Sequence, residues 1–255
     1  MTFQRFFPRY LRLAGASGTL GESRAELRQV YGLDLVVVPP RTPSQLRHWP
    51  TEVFPDCAAL WRAVAGEVLE VAGQGRAVLV GTETVAQSEA LSQVLAGLGR
   101  AHRVLNARQD REEAQLIAAA GQAGKVTVAT SMAGRGTDIA CAPEVLEKGG
   151  LHVILCQLNA SARIDRQFLG RAGRQGQPGS VHRMLALEFA LVRKAWPAAW
   201  LRWLAGRSRT SGLAKLTIWL AQRRESFTQR YERVKLSRVA ESVERDLTFS
   251  RQVEQ

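Results

Sequence analysis

The stretch "FLGRAGRQGQPGS" (168–180) is followed directly by the apolar run "VHRMLAL" (181–187) and preceded by "LHVILCQ" (151–157). Between the two runs, residues 161–172 follow a helical pattern that breaks in the glycine-rich turn. Strand, helix, turn and strand of this length make a βαβ unit. The same rhythm continues outward. "KVTVATS" (125–131), "HRVLN" (102–106) and "AVLVG" (77–81) read as strands. Residues 111–120 and 84–98 read as helices, the latter with Leu91, Val94, Leu95 and Leu98 on one face. Asp56 opens a further helix through Cys57, Leu60, Val64, Val68 and Val71, stopped by Gly73 and Gly75. Short apolar strands alternating with helices predict an α/β fold, a parallel sheet with helices on both faces.

Upstream the rhythm changes. "LDLVVVPP" (33–40) is β-branched and closed by prolines, and predicts a buried strand ending at Pro39. Pro39, Pro40, Pro43 and Pro50 then predict an irregular linker over 39–55. Downstream of Phe189 no strand pattern remains, and 189–255 predicts a C-terminal helical appendage. Its last part has no glycine or proline after Gly212, enough for a helix of more than 30 residues. The expected organisation is therefore 1–38, a linker at 39–55, the α/β domain at 56–188 and the helical region from 189.

The 255 residues carry a net charge of +12, and residues 189–255 hold 14 lysines and arginines against 6 acids. Such a surplus predicts an anionic partner or a solvated helix face. Within it, Trp196, Trp200 and Leu204 step by four among Arg193, Lys194, Arg202 and Arg207. That pattern suits a helix lying on an anionic membrane surface, and more readily tryptophans packed on the α/β domain. Cys57, Cys141 and Cys156 are far apart, which excludes a disulfide framework and a zinc site and points to a reducing compartment. No apolar run spans a bilayer. "MTFQRFFPRYLRL" (1–13) lacks the apolar core and cleavage site of a signal peptide. His48, His102, His152 and His182 have no partners at metal or triad spacing, and the last two read as core or edge residues.

Two glycine-rich segments carry the chemistry, and the α/β pattern places both beyond the carboxyl ends of strands, where such sheets bind ligands. In "TSMAGRGTDI" (130–139), Gly134 and Gly136 bracket Arg135, and Asp138 follows. Glycine lets a ligand approach the backbone, and the carboxylate can take a ribose hydroxyl or pair with an arginine. In the opening stretch, Arg171 and Arg174 are spaced i, i+3 and predicted to share a helix face. Gly170, Gly173 and Gly176 are expected to clear the space around them. Two guanidinium groups suit a bidentate grip on phosphate.

"TSMAGRGTDI" with "GGLHVILCQLNASARIDRQFLGRAGRQGQPGS" (149–180) resembles motifs V and VI of the SecA preprotein translocase ATPase family, in the second RecA-like motor domain of superfamily-2 helicase-type proteins. "FQRFFPRYLRLAGASGTL" (3–20) resembles the end of the first motor domain, and "YGLDLVVVPPRTP" (31–43) the interdomain link. "AQRRESFTQRYERVKLSRVAESVERD" (221–246) is weakly similar to the start of the family's scaffold helix. The resemblance implies ATP with Mg²⁺ in an interdomain cleft. Arg171 and Arg174 would reach the phosphates as arginine fingers, Asp138 and Arg135 would line the cleft between Gly134 and Gly136, and Gln175 would join the motif VI network. It further implies a first motor domain, a SecYEG-type channel and an unfolded preprotein as partners, and a cytoplasmic protein peripheral on the inner membrane. The Q-G-x-P-G extension, Gln175 to Gly179, disfavours a nucleic-acid helicase. The family usually has an arginine where Leu169 stands, an acidic residue at Gln177 and an aspartate at Phe189. These departures fit a non-catalytic interaction module. No G-x-x-x-x-G-K-[ST] loop occurs in the 255 residues, so the chain holds the arginine side of an ATP site without the phosphate cradle.

Overall fold

The computed structural model describes residues 6–105, 117, 119–130 and 137–253, with the backbone alone at 8, 237, 238 and 240–253. The chain forms two compact units, Pro40–Gln222 and a smaller one of Met1–Pro39 with Arg223–Gln255. The larger unit is a seven-stranded sheet in which every pairing is parallel. Its strands are β1 (Gln45–His48), β2 (Glu52–Phe54), β3 (Val78–Thr82), β4 (Arg103–Leu105), β5 (Val126–Thr130), β6 (Leu151–Cys156) and β7 (Pro178–Ala186). The order is β1-β7-β6-β3-β5-β4, with β2 following β1 along the same edge of β7. The α/β parallel architecture expected from the alternating pattern is therefore present.

Both faces of the central strands are buried, which is why they read as unbroken apolar runs rather than alternations. Val78, Val80, Val126, Val128, Ile154 and Cys156 belong to one core cluster. Helices α2 (Cys57–Gly73) and α3 (Val85–Gly97) cover it through Leu60, Val64, Val68, Val71, Leu91 and Leu95. Each of these side chains stabilises the unit by roughly 1.5–3 kcal/mol. The alternate positions Leu79, Ala129, Val153, Leu155 and Val181 belong to a second cluster. Val145 of α4 (Pro143–Glu147) and Phe168 and Leu169 of α5 (Ala162–Leu169) complete it. The caps follow the sequence. Asp56 accepts the Ala59 amide at 2.6 Å, and Thr84 accepts that of Gln87 at 3.2 Å.

Gly150, at the entrance to β6, has φ +72°, and a Cβ there would strike the carbonyl of Pro178 in β7. Gly150→Ala is expected to lower stability by about 2–4 kcal/mol, combining a left-handed residue with an obstructed strand. Gly66→Ala on the exposed side of α2, where nothing lies within 4 Å, is expected to raise it by about 0.5–1 kcal/mol. Urea-unfolding midpoints of the two variants against the parent check both signs.

Two expectations for the upstream region are corrected. Val36, Val37 and Val38 are 79%, 74% and 82% exposed and form no strand. The residues favour β structure, but the smaller unit offers them no partner strand among the described residues, and a strand without a ladder is not stable. Residues 39–55 are not irregular throughout: β1 and β2 lie there. Pro43 stands before β1 and Pro50 between the strands, so each bounds a strand instead of removing a ladder donor. The expected helix at 111–120 falls almost wholly outside the described residues.

From Phe189 the chain is helical, as expected: α6 (Ala190–Ala195), α7 (Ala198–Ala205) and α8 (Gly212–Val253, 42 residues). Leu204 is buried and Trp196 and Trp200 pack on the first cluster. Their indole N–H groups donate to the Thr217 carbonyl (3.1 Å) and hydroxyl (3.4 Å). Trp203 stays half-exposed with the Arg207 guanidinium 4.0 Å over its ring. In the smaller unit, α1 (Arg24–Tyr31) ends at Gly32 with φ +66°, and Arg233 of α8 forks onto both oxygens of Glu26 at 2.9 and 3.0 Å.

Candidate nucleotide-facing site

Helix α5 ends at Leu169, where the Gly170 amide donates to Arg166 O at 2.8 Å. Three residues later Gly173 takes φ +64°, and a short turn at Arg174–Gly176 leads into β7. Arg171 and Arg174 therefore do not share a helix face: the left-handed glycine between them ends any continuation. Arg171 is 8% exposed, its guanidinium carbon 4.9 Å from the centre of the Phe168 ring. Arg174 turns outward. Its Nε donates to Gly170 O at 3.1 Å and its Nη1 to Asp138 Oδ1 at 2.6 Å. The two side chains are 38% and 58% exposed, so the ion pair orients Arg174 while adding under about 1 kcal/mol.

The loop's position and its glycines both differ from expectation. The arginine turn lies at the start of β7, and Asp138 lies on the segment whose Ala142 amide donates to Gly121 O, ahead of β5. This is the amino-terminal edge of the sheet; α5 carries the turn back from the carboxyl edge. A Cβ on Gly173 would come within 3.0 Å of Leu46, and one on Gly176 within 2.8 Å of Thr42. Gln45 Nε2 donates to Gly176 O at 2.8 Å. The space left by these glycines is filled by the chain entering β1. Gln175 has φ +54°, the one non-glycine residue with positive φ among the described residues. Such strain marks a turn that its surroundings over-determine. Gly134, Arg135 and Gly136 lie outside the described residues.

Sequence reasoning missed the residue that anchors α5. Asp165 is 1% exposed and accepts from Asn159 N (3.3 Å), Asn159 Nδ2 (2.7 Å), Gln222 Nε2 (2.7 Å) and Arg183 Nη2 (3.3 Å). Burial pushes its carboxyl above the ordinary aspartate value, with Asn159, Arg183 and Gln222 pulling the other way. The only advance signal was an acid inside an otherwise basic helix. Leu169, where an arginine was expected from the resemblance, is buried in the second cluster.

A parallel sheet covered on both faces by helices is a RecA-like fold. The yeast DEAD-box splicing factor Prp28 shares the fold at TM-score 0.50 and 12% identity, over 76% of this chain and 42% of that one. The chain belongs to the SecA family: the model for the SecA P-loop domain matches residues 46–146 and 140–201. A protein translocase subunit SecA 2 of Bordetella avium is 43% identical over 99% of this chain and 39% of its own length. Another from Nitrosospira multiformis is 50% identical over 74% of this chain and 28% of its own length. The chain thus spans less than half the length of these relatives.

Proposed function

We propose that this chain is the second motor segment of a SecA-type protein translocase and supplies the arginine side of an interdomain ATP site. The observation that carries this reading is Arg174, oriented by Asp138 and Gly170 yet still partly exposed at the edge of the domain. A cation fixed in direction and open to solvent is what a phosphate from a facing domain requires. Residues 1–38 correspond in this reading to the end of the first motor domain, and 189–255 to the helical scaffold.

The residues present fit ATP on one side only. Arg174, Gln175 and Asp138, with Arg171 behind them, would meet phosphates and ribose, joined by Gly134, Arg135 and Gly136 as the family resemblance implies. The first motor domain would hold Mg²⁺ and the phosphate chain, where the metal neutralises developing charge. On domain approach Arg174 would meet the terminal phosphate, and hydrolysis would remove its anchor and let the halves part. A cycle of this kind would push an unfolded preprotein through a SecYEG-type channel from the cytoplasmic face of the inner membrane. The half-exposed Trp203 with Arg202 and Arg207 would lie toward anionic lipid. Leu169 favours a second reading, a paralogue that keeps the fold as an interaction module, because an arginine expected to face nucleotide is replaced by a core side chain.

The isolated chain is expected to show no Mg²⁺-dependent ATPase above background, and turnover is expected on adding a SecA first motor domain that carries the phosphate loop. Turnover by the chain alone would refute the half-site, and a silent mixture would favour the interaction module.

A further inference from the structure

A second polar cluster lies on the sheet face covered by α2, away from Arg174. His152 is 0%, Ser180 2% and His182 4% exposed. In the β6–β7 register His152 stands opposite Ser180 and Ile154 opposite His182, so all three side chains project from the same face. Glu67, from the middle of α2, meets both imidazoles. Trp49 covers them, its ring centre 4.7 Å from that of His152 and 5.5 Å from that of His182.

Hydrogen-bond direction fixes the protons. Arg76 Nη2 donates to Ser180 Oγ at 2.7 Å, and a neutral His152 accepts the serine proton on Nδ1 at 2.6 Å. His152 then carries its one proton on Nε2 and donates it to Glu67 Oε1 at 2.7 Å. A neutral ring satisfies that site. His182 differs. Its Nδ1 faces Glu67 Oε2 at 2.8 Å and its Nε2 faces the Pro50 carbonyl at 2.9 Å. A carboxylate and a carbonyl only accept, so both ring nitrogens must donate.

We propose that His182 is a buried imidazolium that pins residues 49–51, the connector between β1 and β2, to helix α2, and that losing one proton releases this connector. A neutral ring can serve Glu67 or Pro50, not both. The buried acceptor left over is costly. The other titratable groups that face the ring are Glu52 on β2 and His152 on β6, which shares Glu67 with it; Arg76, ahead of β3, acts on His152. Burial opposes charge on His182, but the hydrogen bond and charge of Glu67, with Glu52 and the Pro50 carbonyl, hold it above the ordinary imidazole value. Burial pushes His152 the other way, consistent with its neutral form. Burial alone would raise Glu67, yet its two imidazole partners hold it below the usual range, so it stays the acceptor.

The sign follows. With the folded value raised, the stabilisation is complete below the unfolded value near 6.5 and is lost as pH rises through the folded one. The connector is held below the unfolded value and freed as pH rises through the folded one. Leu46, which fills the space beneath Gly173, lies three residues before Trp49. A freed connector would therefore loosen the arginine turn. That last link rests on the nucleotide-facing reading; the proton latch does not.

Long-range ¹H–¹⁵N spectra of the labelled chain between pH 5 and 10 test it, with His182 assigned from the His182→Asn spectrum or, if that variant does not fold, by its shift in Glu67→Gln. The expected result is that His182 keeps two protonated nitrogens to a higher pH than His152, which carries one. The Trp49 amide, which donates to Val181 O at 2.8 Å, reports the connector. Its exchange, corrected for intrinsic rate, should rise about ten- to a hundred-fold across the His182 titration, the worth of one charge-assisted hydrogen bond. A His182 that loses its second proton no later than His152, or Trp49 exchange that stays flat through the His182 titration, overturns the latch. Neither outcome depends on nucleotide, so failure here leaves the ATP half-site standing.

Discussion

Changing Arg174 to alanine is expected to cut Mg²⁺-ATP turnover by roughly 10³- to 10⁵-fold, measured with a first motor domain present, the range for an arginine that stabilises charge on a transferring phosphoryl group. The geometry makes this a sharp test. Arg174 is partly exposed, and its bonds to Asp138 and Gly170 are surface contacts. Its removal should leave the unfolding midpoint almost unchanged, so lost turnover cannot be blamed on lost fold. Lysine keeps one charge but cannot hold Asp138, Gly170 O and a phosphate oxygen with one planar fork, and is expected to recover little. Arg171→Ala should behave differently. That side chain is buried over Phe168, so its loss removes packing as well as charge and should lower stability together with turnover. An Arg174→Ala mixture turning over at the parent rate would end the arginine-finger reading, whatever the family.

The contrast between these arginines shows what the sequence could and could not convey. Strand positions such as Val78, Val126 and Ile154 were legible because a strand buried on both faces is apolar at every residue. Helix α2 was legible because Asp56 caps it and its apolar residues recur at the helical period. Lateral relations were not legible. "LDLVVVPP" has the composition of a strand, but pairing depends on a neighbour that composition does not name. β1 and β2 were hidden among prolines because their ladder partner, β7, lies more than 120 residues away. In the site, residue types and their family resemblance singled out Arg174 and Asp138, which the fold brings into contact. The glycines were misread: Gly173 and Gly176 make room for Leu46 and Thr42, and only coordinates show which neighbour occupies a missing Cβ. The Glu67, His152 and His182 cluster draws on α2, β6 and β7, so no local spacing could announce it.

Asp165 was equally silent in the sequence, and Asp165→Ala is expected to cost about 3–5 kcal/mol, the penalty for removing one partner of a buried charged network. Four donors converge on this carboxylate, two from Asn159 and one each from Gln222 and Arg183. Alanine leaves them facing a void, whereas Asp165→Asn keeps one oxygen and should lose less. The pH dependence separates this loss from simple cavity formation. Burial raises the folded carboxyl above its unfolded value, against the donors. The carboxyl's own contribution is therefore largest below the unfolded value near 3.9 and declines as pH rises through the folded value. The gap between parent and alanine variant should widen as pH falls toward that range, and a cavity alone would show no such trend. Urea midpoints at a series of pH values from 7 down toward 4 decide it. The consequence reaches the site, because Asp165 joins α5, whose end launches the Arg174 turn, to Gln222 in the first turns of α8. With Asp165 removed, α5 loses the hydrogen bond that Gln222 of α8 makes to it.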